Sequence, residues 1–330
     1  WSNDWGAYVG GTGTTKRFDV EYETNSGDVI VAYSNNSSSS NELVYRTKLG
    51  SSSCGSSSWS SQNNFDVIST SGVVHWVKMA RDRRSSSNLI AMIWADSNAD
   101  LSGAIWDGSS FVNEPTVALE TSLENVSAGQ DSESFDVEYE SLSGDVMVVF
   151  GNKAGSNGVN GVRYITCTGG SSSCYWGSKT TPATFLDDAT NIDISANPNT
   201  DEIVFASVGN AGSDLQIGYW SGGAWTNTAN VDTSCATPIA GSMILTTGWL
   251  NSGTTKRSIV VYNDSGATNV GWYVGNGGTF TKQTDFTTSP VFVANQRWYN
   301  IDVDPINKDR LILSVADGAN DLFAKSLLMT

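Results

Sequence analysis

One phrase of sixteen residues occurs twice in this chain. Residues 18–33 read FDVEYETNSGDVIVAY, and residues 135–150 read FDVEYESLSGDVMVVF. Self-similarity at a period of tens of residues constrains a fold strongly, because each copy must be one supersecondary unit. Each copy alternates Phe, Val and Tyr with Asp and Glu, as a half-buried strand does. It then turns at xSGD and continues as an unbroken apolar run, as a strand buried on both faces does. Looser copies read YNIDVDPINKDRLILSV at 299–315, IDISANPNTDEIVFAS at 192–207, VKMARDRRSSSNLIAMIW at 77–94 and SMILTTGWLNSGTTKRSIVVY at 242–262. Six copies begin near residues 18, 77, 135, 192, 243 and 299, a period of about 51 to 59 residues.

Every copy continues alike. A short Asn, Asp and Gly turn leads to a third strand such as LVYRTK, GVRYITC or LQIGYW. A tight turn then leads to an aromatic that opens a fourth strand: Trp59, Phe111, Trp176, Trp225 and Phe280. Turns such as DGSSF, SGGAW and GNGGTF suit hairpins, because Gly and Asn accept positive φ. Four antiparallel strands repeated six times predict an all-β chain, a six-bladed β-propeller of four-stranded antiparallel blades. The sixth copy stops after its third strand, at Thr330. NDWGAYVG near the N-terminus matches CYWGSKTT, with Trp5 at the position of Trp176. Residues 1–14 are therefore expected to form the outer strand of the last blade, closing the ring and removing an exposed edge. Residues 1–330 then make a single β-propeller domain.

Composition narrows function by exclusion. The net charge of −16 argues against nucleic acid, since phosphate binding needs clustered Lys and Arg. The one dense basic run, RDRR at 81–84, falls in a turn and reads as a solvated tip. No apolar run approaches the roughly 18 residues that span a bilayer, so no transmembrane segment is expected. The chain begins at Trp1 and reads as a mature chain or excised domain, possessing no visible leader and open to membership of a longer chain or assembly. Cys167 and Cys174 flank a Gly/Ser turn, which places them on facing strands and predicts a disulfide. Cys54 and Cys235 are left as a second candidate bridge. Sequons at Asn35, Asn36, Asn125 and Asn263 fit an extracellular surface.

The repeats resemble those of secreted bacterial and archaeal propeller proteins that carry a blade-end W-x-G-x-x-W hairpin. The tails DGSSF and NGGTF also resemble the sialidase Asp-box, Ser-x-Asp-x-Gly-x-Thr-Trp, which sits on the same hairpin. No blade contains the full box, and the sialidase (Y/F)RIP signature is missing, so no arginine is assigned to a substrate carboxylate. The resemblance implies the propeller fold and an extracellular or cell-surface setting.

Propeller ligands usually sit where inner strands begin. Arg17, His75, Trp76, Asp187, Asp188, Arg297 and Trp298 precede or open those strands and form the candidate ligand-binding set, for a glycan or a surface protein. The competing reading is that they cap strand ends. His75 is the sole histidine and no GxSxG accompanies it, which disfavours a Ser–His–Asp hydrolase and a His-ligated catalytic metal. Asp96 with Asp100, Asn210 with Asp214, and Asp317 with Asp321 lie on short turns. They offer oxygen ligands to Ca²⁺, but Asp also folds such turns by binding its own backbone. No other cofactor is expected. Asp19, Glu21 and Glu23, and their copies Asp136, Glu138 and Glu140, share one strand face. They either line a channel or contact the neighbouring blade. The leading expectation is a non-catalytic extracellular recognition or structural module, such as an adhesion, appendage or glycan-binding domain. The alternative is a glycoside hydrolase or sialidase-like enzyme with a carboxylate pair at the channel mouth.

Overall fold

A computed structural model describes residues 6, 9, 15–38, 41–52, 58–124, 132–153, 161–182, 189–209, 214–252, 255–264, 269–287, 295–304, 309–319 and 321–328. Six antiparallel sheets follow one another along the chain. The first contains β1 (Phe18–Tyr22), β2 (Val29–Ser34), β3 (Leu43–Lys48) and β4 (Asn63–Phe65). The second contains β5 (Val74–Arg81), β6 (Ile90–Asp96), β7 (Leu101–Trp106) and β8 (Phe111–Val112). The third contains β9 (Phe135–Tyr139), β10 (Val146–Asn152), β11 (Gly161–Thr168) and β12 (Tyr175–Trp176). The fourth contains β13 (Ala189–Ala196), β14 (Ile203–Gly209), β15 (Leu215–Trp220) and β16 (Trp225–Asp232). In the fifth, β17 (Leu245–Ser252), β18 (Thr255–Asn263), β19 (Asn269–Asn276) and β20 (Thr279–Lys282) pair in order, and β21 (Phe286–Thr287) also pairs with β19. The sixth has three strands, β22 (Gln296–Val303), β23 (Arg310–Asp317) and β24 (Leu322–Leu328). The segment expected to supply its fourth strand, residues 1–14, lies outside the described residues except for Gly6 and Val9. Among the described residues no helix is long and apolar enough to cross a membrane.

The sequence repeat is a geometric repeat. In both copies of xSGD the Glu before the turn donates its N–H to the Asp carbonyl at 2.8 Å, Glu23 to Asp28 and Glu140 to Asp145. Gly27 and Gly144 both take φ near +74°, a conformation that glycine adopts without a Cβ penalty. The Asp side chain then accepts from the hairpin between the third and fourth strands: Gly50 N on Asp28 Oδ1 at 2.8 Å, and Gly169 N on Asp145 Oδ1 at 2.7 Å. The repeated Asp thus links two turns of one blade.

The same five residues meet different surroundings in the two copies. Phe135, Val137 and Tyr139 are 0%, 3% and 1% exposed, whereas Phe18, Val20 and Tyr22 are 47%, 49% and 51% exposed. Sequence being equal, the difference lies in what packs on them.

By contact density the chain forms two compact units. One comprises Trp1–Asp131, Val137–Val148 and Ile165–Lys179, the other Ser132–Asp136, Val149–Tyr164 and Thr180–Thr330. In the first, the core gathers Ile30, Leu43, Val77, Ile90, Met92 and Trp94 beneath a cluster of Tyr45, Phe65, Trp106 and Phe111. Ring centroids there lie 5.2 to 5.7 Å apart, mostly edge to face. In the second, Val204, Leu215, Ile217, Leu245, Ile259, Val261, Leu311 and Leu313 form the main core.

RDRR is only in part the solvated tip its composition suggests, with Arg81 and Arg83 exposed but Arg84 partly buried. Arg83 pairs with Glu138 at 2.8 Å, and Arg84 forks onto Asp82, which is fully buried.

Candidate binding groove

Residues 115–121 leave β8 and run back beside β7, pinned there by Leu119 N on Leu101 O and Leu101 N on Glu120 O, both 2.8 Å. With Ile165 of β11, Trp176 of β12, Gly177 and Lys179 they enclose a groove of about 300 Å³. Its apolar wall is Pro115, Val117, Leu119, Ile165 and Trp176. Its polar element is an ion pair: Lys179 Nζ donates to Glu120 Oε2 at 2.8 Å. Glu120 is buried and is fixed further by Thr121 N and Ser122 N on Oε1, at 2.8 and 2.9 Å. The Lys179 side chain is half exposed. The Trp176 indole is anchored at one end, with Nε1 donating to Asn113 O at 2.9 Å. At the other end, its Cη2 lies over Gly103, where an added Cβ would sit 2.4 Å from Ile93 Cδ1 and 3.5 Å from the indole. An apolar wall opposite a few fixed polar groups is the usual form of a small-ligand site.

None of the described residues expected from sequence to bind ligand lines this groove. Arg17 is buried, donating to Asn36 Oδ1 at 2.9 Å and to Thr15 Oγ1 at 3.0 Å. His75 and Trp76 lie on β5, with Trp76 buried. Arg297 lies over the Trp298 ring at 6.0 Å, and Trp298 Nε1 donates to Gly241 O at 3.0 Å. Asp187 and Asp188 lie outside the described residues.

The acidic turns fold themselves. Asp96 Oδ1 accepts from Asn98 N and Asp100 N, and Asp317 Oδ1 accepts from Ala319 N and Asp321 N, at 2.8 to 3.0 Å. Burial, then the neighbouring Asp96 and Glu120 carboxylates, push Asp100 above its ordinary value. Asp214 accepts from Asn230, and Asn210 lies outside the described residues. Among the described residues no three His, Cys, Asp or Glu side chains are grouped to hold a metal.

The strand acids join neighbouring sheets. Asp19 Oδ2 accepts from Met79 N at 2.8 Å, Asp136 Oδ2 from Ile194 N at 2.9 Å, and Asp193 Oδ2 from Thr247 N at 2.6 Å. Glu23 Oε1 accepts from Trp106 Nε1 at 2.6 Å and Glu138 pairs with Arg83, whereas Glu140 accepts from Ser143 Oγ within its own turn. Glu21 stands 3.6 Å from Arg81, and burial raises its pKa.

The Cys167–Cys174 disulfide is formed. Cys235 is a buried free thiol, and Cys54 lies outside the described residues. Asn35 and Asn36 are exposed sequons and Asn125 lies outside the described residues. Asn263 is 2% exposed, which leaves no room for a glycan in the folded chain.

In the second unit one lysine bridges two buried carboxylates. Lys282 Nζ lies 2.9 Å from both Asp232 Oδ2 and Asp264 Oδ2, and Tyr262 OH donates to Asp232 at 2.6 Å.

No protein-family model and no curated protein matches the sequence. Solved structures do match, over most of the chain. The BP39L lectin from Burkholderia pseudomallei aligns with a TM-score of 0.63 at 12% identity, covering 94% of this chain and 81% of that one. AofleA from Arthrobotrys oligospora aligns at 0.50 with 13% identity, covering 95% and 86%. A polysaccharide lyase, an ulvan lyase bound to -[GlcA(1-4)Rha3S]-, aligns at 0.52 with 10% identity, covering 94% and 78%. At these identities the likeness shows a shared fold, of the propeller type.

Proposed function

We propose that this chain is a non-catalytic glycan-binding module whose ligand seats against Trp176, beside Glu120 and Lys179. The groove carries the reading. The Trp176 indole offers a flat apolar surface for the C–H face of a sugar ring, and Lys179, half exposed and held by the buried Glu120, offers a donor to an adjacent hydroxyl. Glu120 already neutralises Lys179, so the groove suits a neutral sugar better than an acidic one. The fold shared with a lectin is consistent with this use, although a fold alone assigns no function.

An extracellular or cell-surface location fits the disulfide. A ring of six blades closed by residues 1–14, with 1–330 as a single domain, is part of the same proposal and rests on the sequence repeat.

A glycan array probed with wild type and Trp176→Ala tests the reading. Wild type is expected to bind at least one neutral glycan, and the substitution to weaken it at least about tenfold, as loss of a buried aromatic anchor does. The melting temperature should move little, because the ring is partly exposed. Binding that survives Trp176→Ala would place the ligand elsewhere.

The enzyme reading has one observation in its favour. Burial and then a hydrogen bond with Asp264 raise the Asp285 pKa against the lowering charge of Lys282, and a raised carboxyl can serve as a general acid. Chromogenic glycosides run beside the array are expected to show no turnover; turnover abolished by Asp285→Asn would establish it instead.

A further inference from the structure

Asn113 follows β8 in the left-handed conformation, φ +62°, which Asn tolerates better than other non-glycine residues. That conformation turns its side chain toward the disulfide hairpin of the third sheet. Asn113 Nδ2 donates to Cys174 O at 2.8 Å and lies 3.5 and 3.6 Å from the sulfurs of Cys174 and Cys167. Its own carbonyl accepts the Trp176 indole N–H at 2.9 Å. One residue therefore grips the hairpin twice, two positions apart, once by its side chain and once by its backbone. The disulfide holds the gripped carbonyl in place across the hairpin that contains Gly169 and Gly170. Both sulfurs are buried, so this is a fixed brace and not a redox switch.

We infer that Asn113 is a positioning residue for the groove: braced by the Cys167–Cys174 disulfide, it sets the angle at which Trp176 faces the ligand. The consequence for ligand binding rests on the glycan-binding reading above; the brace itself does not. Asn113 touches no ligand in this scheme and acts only through Trp176.

The test is Asn113→Gly. Glycine keeps the backbone carbonyl and accepts the same φ without strain, so it removes the side-chain grip alone. The first readout is solvent exchange of the Trp176 indole N–H, followed by NMR in protein labelled with ¹⁵N at the indoles, its resonance identified as the one lost in Trp176→Phe. Exchange is expected to quicken about fivefold to tenfold, the scale of one net hydrogen bond, while the other indole resonances stay unchanged. Cys167→Ala/Cys174→Ala should do the same; if that variant does not fold, Asn113→Gly carries the test alone. Asn113→Asp, which loses the donor but keeps an oxygen, should quicken exchange as Asn113→Gly does. Unchanged indole exchange in Asn113→Gly would overturn the inference. The second readout is affinity for whichever array glycan wild type binds, expected to fall several-fold in Asn113→Gly. Faster exchange with no glycan bound by any form would leave the brace standing and remove the binding reading. Faster exchange with full glycan affinity would refute the positioning role.

Discussion

Arg84→Ala is expected to lower the unfolding free energy by about 3 kcal/mol, the low end of the range for stripping a buried carboxylate of its partner. Asp82 is fully buried, and Arg84 holds it through Nε at 3.0 and 2.9 Å and through Nη2 at 2.5 Å. The same guanidinium donates to Ser143 O at 2.9 Å and to Gly170 O at 2.8 Å, joining three turns. Removal would leave a charge and two carbonyls short of donors in one place. Arg84 is 29% exposed, so water can replace part of what is lost, which sets the estimate at the low end. Arg84→Lys should recover only a minor part, because an ammonium cannot reproduce the planar fork. Urea denaturation measures both, and a loss below about 1 kcal/mol for the alanine would mean that Asp82 finds another partner. Gly144 shares this site: a Cβ there would stand 2.1 Å from the guanidinium carbon. Gly144 is thus required by its φ and by its neighbour, whereas at Gly27 only the φ requires glycine, since a Cβ there would meet nothing within 4 Å.

Lys282→Met should cost about 2 kcal/mol at neutral pH, because it leaves Asp232 and Asp264 buried without their shared cation. The value is set below the usual range because the lysine side chain is 39% exposed. The loss should depend on pH. Burial pushes the Asp232 carboxyl up, but hydrogen bonds from Tyr262, Lys282 and Ser234 outweigh it and hold it at about 2. A carboxylate whose folded pKa lies below its unfolded one stabilises the fold above the unfolded value and stops doing so as pH falls through the folded one. The gap between wild type and Lys282→Met is therefore expected to be full above about pH 5 and to shrink toward pH 2. Lys282→Met/Asp264→Asn should recover part of the loss at neutral pH, since it removes one of the stranded charges. A pH-independent gap would show that the methionine acts through packing alone.

Particular residues show how far the sequence could be read. Phe18–Tyr22 and Phe135–Tyr139 announce their strands by alternation, and the apolar runs after them form the central strands of their sheets. The Gly/Ser turn between Cys167 and Cys174 announces the disulfide. Local pattern suffices in each case, because the partner lies within one hairpin.

The groove was not legible, because Glu120 and Lys179 come from different blades and fall outside the repeated phrase. Lys179 stands three residues after Trp176, a position held after Trp59, Phe111 and Phe280 by Gln62, Glu114 and Gln283. Those residues differ, and so do their partners. Glu114 Oε1 accepts from Ile68 N and Ser69 N, whereas Gln62 Oε1 accepts from Tyr33 OH. A search for periodicity finds what the blades share, while this groove is built where they diverge. Arg84 escaped for a related reason. Charge in a turn reads as solvated until turns some sixty and eighty-six positions further on supply Ser143 O and Gly170 O.

The most direct measurement is a crystal structure of the protein with the best neutral glycan from the array. The account predicts a sugar ring stacked on the Trp176 indole, with a hydroxyl within hydrogen-bond reach of Lys179 Nζ. A sugar bound at any other place, with the groove holding only solvent, would contradict it.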